Sequence, residues 1–447
     1  MAIPVKKPRV VVTSASTFWK KREMLEPLKT NVALVGLKSE YKDQVEVGSV
    51  VFQEGLLAKS LRLGKSALSE AAKPKFLAAA VVMGTAAAFV SVPFGLAMAG
   101  ATWLSAPLGV ATSSFQSELK GPESSFQDGV TISQTAHNPT ELLADEQALD
   151  SESSPLPALS RFTVAQMKRY PQVRHIAHFN GHGHGSELAA GLAGEEFAAE
   201  MTKAVESASR NFDVAYYETC YGANYDFLVN QADLADYVVA FEDLAPSSFA
   251  EQGRVPLEEV LEQGMRDGDS RKVAVEMAKV AGQYFEMSPK AISEVPHAER
   301  QKRVHLKALS VNHDSTVSAF DLKALQGSLS EEMGALGDAL RREIKVDGSF
   351  RKNLAAAKKA NEIERTGDLV DLGGFLRDLQ PSISKKSIGL HKALTSTLRS
   401  LDQTILHKRT SAGSPLSGLS VHTKLGTAKN LKSKVPSAWQ DFVKEAF

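Results

Sequence analysis

Two side-chain types in this chain stand where they could do chemistry at neutral pH, a thiol and an imidazole. The chain has one cysteine in 447 residues, Cys220. It follows the apolar run Asp213-Val-Ala-Tyr-Tyr-Glu-Thr219 and precedes Tyr221-Gly-Ala-Asn224. Upstream, His175-Ile-Ala-His-Phe179 empties into Asn180-Gly-His182-Gly-His184-Gly185. A thiolate is the attacking form of cysteine, so a nucleophilic cysteine needs a proton acceptor or a positive neighbour. Histidine can be that acceptor, because its ordinary pKa lies near neutrality. The flanking glycines let a substrate backbone approach and leave their N–H groups unhindered. The Gly183 and Cys220 N–H groups would together hold the oxyanion of a tetrahedral intermediate. His182 comes first after the apolar run and is the favoured base, with His184 the alternative. The chemistry these groups predict is peptide hydrolysis.

Each residue also has a plainer reading. A lone cysteine near a strand end is usually a small buried apolar group, and it is the His-Gly loop that shifts the balance toward catalysis. The same histidines offer a metal site, since His175, His178, His182 and His184 are densely spaced and His-x-His can bind zinc. Yet His175 and His178 are three apart on a strand, so they point to opposite faces. Ser186-Glu187 also stands where metal-dependent hydrolases with His-x-His carry an Asp-His pair. No metal ligand set is therefore expected.

The elements that must position these groups read as alternating strands and helices. A helix over 162–170 precedes the His strand. A helix over 195–209 joins it to the Cys strand, and a helix over 225–234 leads to a further buried strand, Asp236-Tyr-Val-Val-Ala-Phe241. Apolar strands alternating with helices predict an α/β fold with a mostly parallel central sheet flanked by helices. In such sheets the working residues gather at the carboxyl ends of strands. Arg9-Val-Val-Val-Thr13 and Asn31-Val-Ala-Leu-Val-Gly36 each read as a short strand. Residues 253–307, 316–340 and 348–365 read as helical, Leu416-Ser-Gly-Leu-Ser-Val-His422 as a late strand, and 437–447 as a terminal helix.

Four regions follow from composition: an N-terminal region over 1–75, an apolar segment over 76–117, a Ser-, Pro- and acid-rich linker over 118–157, and a catalytic domain over 158–447. The segment over 76–117 carries no charged residue. It is long enough to cross a bilayer once, since about 20 residues suffice. Lys73 and Lys75 before it favour a cytoplasmic N-terminal side, which places the protein at a bacterial inner membrane. A buried helical hairpin in a cytoplasmic protein is the alternative. Lys plus Arg and Asp plus Glu both number 52, which argues against nucleic acid as the main partner. One cysteine excludes an internal disulfide.

The ordered motifs resemble the clostripain family of cysteine peptidases, in the clan with caspases, gingipains, legumains and separases. Gly181-His182-Gly183 is similar to that clan's histidine motif, and Glu218-Thr-Cys220 to the family's acidic-x-Cys motif. Residues 235–246, Ser318-Ala-Phe-Asp-Leu322, Asp368-Leu-Val-Asp-Leu-Gly373, Ser417-Gly-Leu-Ser-Val421 and Trp439-Gln-Asp-Phe442 resemble its later landmarks in the expected order. The resemblance covers residues 155–447. It implies a caspase-like sandwich and an endopeptidase cutting protein or peptide substrates after Arg or Lys, with Cys220 as nucleophile and His182 as base. It also implies an acidic S1 pocket lined by Glu218, with Glu242 and Asp243 as further candidates. A carboxylate at the floor of a pocket would favour a basic side chain through a charge-assisted hydrogen bond. Glu218 stands where the family often has Asp, and Phe241 replaces a small hydroxyl residue. Such enzymes are zymogens that often cut themselves between the His and Cys loops, where Lys203-Ala204 and Arg210-Asn211 suit a basic specificity. No cofactor is expected. Calcium dependence stays open, because no run of closely spaced carboxylates forms an obvious loop. The alternatives are an inactive relative that serves as a scaffold and a metal-dependent hydrolase built on the histidines.

Overall fold

Runs of Val, Ile, Phe and Tyr with small residues between them form the spine of the fold. The computed structural model describes residues 8–18, 34, 44–53, 124–127, 130–133, 156–181, 183, 191–243, 245, 257–283, 316–363, 366, 368–410, 414–423 and 434–447. Five parallel neighbours make most of the central sheet: β1 (Val10–Phe18), β2 (Val45–Gln53), β5 (Arg174–Asn180), β6 (Phe212–Glu218) and β7 (Ala235–Phe241). The antiparallel strand β8 (Thr316–Asp321) follows β7, and β10 (Ile405–Thr410) pairs antiparallel with β8. The full order is β10-β8-β7-β6-β5-β1-β2. The mixed α/β class with a mostly parallel sheet is therefore what the sequence predicts.

The two faces of this sheet bury different sets. Ala177, Phe179, Ala215, Tyr217 and Phe320 point one way, onto helices α1 (Leu156–Arg169) and α2 (Gly191–Ala208) and the C-terminal helices. Ile176, Val214, Tyr216, Val239 and Ala319 point the other way, onto α4 (Leu257–Glu262) and α5 (Ser270–Gly282). The alternation is the period-two geometry of a strand, with both faces covered. Each fully buried ring such as Phe179 or Phe212 is worth about 1.5–3 kcal/mol of transfer free energy.

Several elements depart from the sequence reading. Residues 316–321 are a strand rather than the start of a helix; the chain turns helical only after Asp321, whose side chain accepts the Ala324 N–H at 3.0 Å as an N-cap. Helix α6 (Ser330–Val346) follows. Leu34 is helical, and the second N-terminal strand is β2. The helix before β5 begins at Leu156, six residues earlier than its periodicity indicates. A two-stranded hairpin, β3 (Ser124–Gln127) with β4 (Val130–Ser133), lies within the stretch read as a linker. The apolar segment over 76–117 lies outside the described residues, and no described helix is long and apolar enough to cross a membrane.

The C-terminal third closes over the site. Helices α7 (Phe350–Ala360), α8 (Leu372–Leu379), α9 (Ile388–Thr404) and α10 (Ser437–Ala446) join the larger core. A small sheet of β9 (Leu369–Asp371) and β11 (Ser420–His422) is tied to the turn after β6 by the Ser420 N–H, which donates to the Ala223 carbonyl at 3.0 Å.

Candidate active site

The register of β5 and β6 sets the site. Asn180 and Glu218, the last residues of these strands, are direct partners in the parallel ladder. His182 and Cys220 each lie two residues beyond that pair in the sequence. The carboxyl end of the His strand and that of the Cys strand are thus adjacent and level, as the sequence predicts. His182 and His184 lie outside the described residues; Gly183 is described and half-buried.

Beyond Glu218 the chain turns sharply. Tyr221 takes φ 59°, a left-handed conformation that costs a non-glycine residue about 1–2 kcal/mol. Two hydrogen bonds hold it: the Tyr221 N–H donates to the Asp243 carbonyl at 2.8 Å, and the Ala223 N–H to the Phe241 carbonyl at 2.7 Å. A Cβ on Gly222 would lie 2.8 Å from Thr219 Oγ1, so any larger residue here would push that side chain aside. Cys220 rides on the turn, half-buried and packed against Tyr221, Ile363, Leu369 and Leu416. Burial pushes its thiol up to about 11; the Ala245 backbone N–H works against that shift, and the charge of Asp243 adds to it. The thiol is therefore protonated at neutral pH in this arrangement, and a base must remove its proton before it can attack.

Glu218 is 7% exposed and bonded inside the protein. Asn180 Nδ2 donates to its Oε2 at 3.1 Å, and His178 Nε2 lies 3.4 Å from the same oxygen. His178 is fully buried, with Nδ1 2.8 Å from Ser14 Oγ, and its ring stacks on Tyr216 at 5.5 Å. Glu242 is also fully buried. Its Oε2 accepts the Gly418 N–H at 2.6 Å, and burial together with the neighbouring Asp371 carboxyl pushes its pKa far up. Asp371 in turn caps α8 through the Gly374 N–H and accepts the Ser417 N–H at 2.7 Å. Glu242 has no exposed surface to offer a substrate and holds the 416–418 loop instead. Asp243 is 3% exposed, and its charge reaches the Cys220 thiol.

The two candidate self-cleavage positions lie in bonded structure. Lys203 is inside α2 and pairs with Glu200 at 2.8 Å. Arg210 bonds the carbonyls of Tyr170, Pro171 and Val173 and the Asp213 carboxylate. Neither bond can enter an extended cleft without local unfolding. His175 and His178 occupy opposite faces of β5, and no group of three metal-binding side chains exists among the described residues.

The sequence reading passed over Asn180 and Ser14 and weighed His178 only as a metal ligand or a packing residue. The only signal for Asn180 was its place at the strand end before the glycine loop. Nothing local marks Ser14, 164 residues from its partner.

No protein-family model and no curated protein matches the chain. Solved structures do. An inactive zymogen of a C11 protease from Parabacteroides distasonis is similar over 99% of this chain and 96% of its own, at 13% identity and a TM-score of 0.46. A secreted C11 cysteine protease from Bacteroides thetaiotaomicron, in complex with an irreversible peptide inhibitor, is similar over 98% of this chain and 99% of its own, at 10% identity and a TM-score of 0.48. A clostripain from the same organism, bound to a peptide inhibitor, covers 54% of this chain and 93% of its own, at 13% identity and a TM-score of 0.35.

Proposed function

We propose that this protein is a cysteine endopeptidase in which Cys220 is the nucleophile and His182 the base. The observation that carries the reading is the level register of β5 and β6, which brings the strand leading into Gly181-His182-Gly183 beside the strand that delivers Cys220. In the reaction His182 takes the thiol proton as sulfur attacks the peptide carbonyl carbon. The oxyanion sits against the N–H groups of Gly183 and Cys220. As the C–N bond breaks, the proton passes to the leaving amine, and water then hydrolyses the thioester to free the thiol.

A preference for Arg or Lys at P1 belongs to the same reading. It is supported by the acidic surroundings of Cys220, above all Asp243, whose charge reaches the sulfur. The half-buried, protonated thiol suits a latent form that opens on activation. Attachment to a membrane through residues 76–117 is a further part of the proposal, tested by fractionating cells that express the full chain.

The test offers fluorogenic peptides with Arg, Lys or a neutral residue at P1, with a thiol alkylator and a chelator as separate arms. Alkylator-sensitive turnover of the basic peptides, lost in Cys220→Ala, is expected. Chelator-sensitive, alkylator-resistant turnover would point to metal chemistry instead. No turnover before or after limited proteolysis would make the chain a binding protein.

A further inference from the structure

Helices α6 and α9 carry apolar residues that folding does not use. The core stripe of α6 holds Met333, Leu336, Leu340 and Ile344, and that of α9 holds Leu390, Leu394 and Leu401. Val346 and Ile388 lie off those stripes, 84% and 75% exposed. The other large apolar side chain left exposed among the described residues, Phe447, is engaged by the Phe375 and Phe442 rings and by Lys358. Single exposed apolar residues are ordinary, but Val346 and Ile388 share one end of a helix pair. The Thr397 hydroxyl donates to the Glu332 carbonyl at 3.3 Å, and the Ser387 hydroxyl to Glu343 Oε1 at 2.7 Å, so the two helices run antiparallel. Ile388 follows Ser387, and Val346 stands one turn beyond Glu343.

Positive charge gathers around this pair. Arg342, Lys345, Lys385, Lys386 and Lys392 are all exposed. None of them forms an ion pair among the described residues, whereas Arg341 is held by Asp441 and Glu445. No acidic residue occurs between Asp378 and Asp402, an interval that holds Lys385, Lys386, His391, Lys392 and Arg399. The opposing charges on the α6 side are Asp338, Glu343 and Asp347. Glu343 is bonded to Ser387, and Asp347 accepts the N–H and the hydroxyl of Ser349. In a chain whose net charge is zero, this is a local basic excess.

We infer that this end of α6 and α9 is a contact surface for an anionic lipid bilayer, with Val346 and Ile388 at the headgroup boundary and the basic ring against the lipid phosphates. Each Lys or Arg near such a surface adds to binding, and apolar side chains between them add buried area. A nucleic acid would use the cations and leave both apolar side chains in water. The surface does not depend on the peptidase reading. It also differs in kind from residues 76–117, because it acts through charge, so salt and lipid composition govern it.

The experiment mixes the full chain with vesicles of phosphatidylcholine alone or with added phosphatidylglycerol, and follows cosedimentation and hydrogen exchange over residues 342–348 and 384–392. Exchange in both segments should slow with the anionic vesicles, stay unchanged with the neutral ones, and recover in high salt. Lys385→Ser with Lys386→Ser should weaken anionic-vesicle binding on the order of 10-fold. Val346→Ser with Ile388→Ser should weaken it about 10-fold as well. All four positions are exposed, so both double variants should melt near the wild-type temperature. Vesicle binding without protection of either segment, or equal protection by both vesicle types, would overturn the inference. So would protection that needs no vesicles and grows with protein concentration, which would make the patch a contact between copies, or protection by single-stranded RNA and not by vesicles.

Discussion

The two ends of the central sheet differ in the polar residues they gather. At the amino end, donors and acceptors meet in a dense network. Arg174 reaches the carbonyls of Gly264, Arg266 and Gly268. Arg210 reaches three carbonyls and Asp213, and Asp213 also accepts the His175 N–H at 2.9 Å and the Ser270 hydroxyl at 2.6 Å. At the carboxyl end, Cys220 sits on a strained turn beside carboxylates. The hydroxyls of Ser16, Thr219, Thr316 and Ser318 have no hydrogen-bond partner among the described residues. Buried polar groups are normally paired, but Arg174 Nε, His175 Nδ1 and Gln263 Oε1 at the amino end are unpartnered among the described residues too and Ser209 is strained there, so what separates the ends is the nucleophile and its carboxylate surroundings, not unmatched groups alone. The bonded end anchors the strands, and the other end presents the chemistry.

The comparison can be broken most decisively at Cys220. Cys220→Ala should lower turnover by a factor on the order of 10⁴ or more and leave the melting temperature near wild type; a comparable loss of stability would mean the thiol is only packing. Arg210→Ala should do the reverse. It removes four bonds at the anchored end and should cost about 3 kcal/mol in urea unfolding, with kcat per folded molecule unchanged.

Acid titration tests the amino end again. Burial holds His175 neutral, its pKa down to about 4 from 6.5. Between those values the unfolded chain binds the proton and the folded chain does not. Stability is therefore present above pH 6.5 and lost as pH falls toward 4, by about 3 kcal/mol in all. His175→Gln should flatten that slope. Glu242 sharpens the contrast, since it is a carboxyl-end residue whose role is structural. Its pKa is raised, so its contribution is full below about 4.5 and is lost as pH rises. Glu242→Gln keeps an acceptor for Gly418, so it should change stability by no more than about 1 kcal/mol at neutral pH and remove that decline. At the small end of the scale, Ser209 is exposed with φ 54° just after α2. Ser209→Gly should stabilise the protein by about 0.5 kcal/mol.

Much of this architecture can be read from the sequence where apolar runs are long. Strands β5, β6 and β7 are largely buried, apart from one or two residues at their amino ends, and their alternation with helices implies neighbouring parallel strands. That places Cys220 correctly at a carboxyl end. Short strands are harder. Thr316-Val-Ser-Ala-Phe-Asp321 has small residues that suit either state, and a strongly amphipathic helix follows, so the helical period carries back over it. β2 contains Glu46 and Gly48, which dilute its apolar signal, whereas the more apolar run around Leu34 contains a helical residue. β10 is a basic edge strand, Ile405-Leu-His-Lys-Arg-Thr410, half-exposed along its length; charge is how exposed edges avoid mispairing, and it hides them from hydrophobic patterning. At the site, the nucleophile and the glycine loop are visible because their chemistry is local. The partners of Glu218 and Glu242 are not, because Asn180 and Gly418 lie 38 and 176 residues away and only the sheet register brings them together.

Covalent labelling tests the central pairing most directly. The folded protein, before and after limited proteolysis, is treated with a peptidyl electrophile bearing Arg at P1, and the adduct is located by mass spectrometry in wild type, His182→Ala and His184→Ala. The account predicts modification of Cys220 in wild type and His184→Ala and little in His182→Ala. Equal modification in all three, or none in any folded form while the denatured chains react, would contradict it.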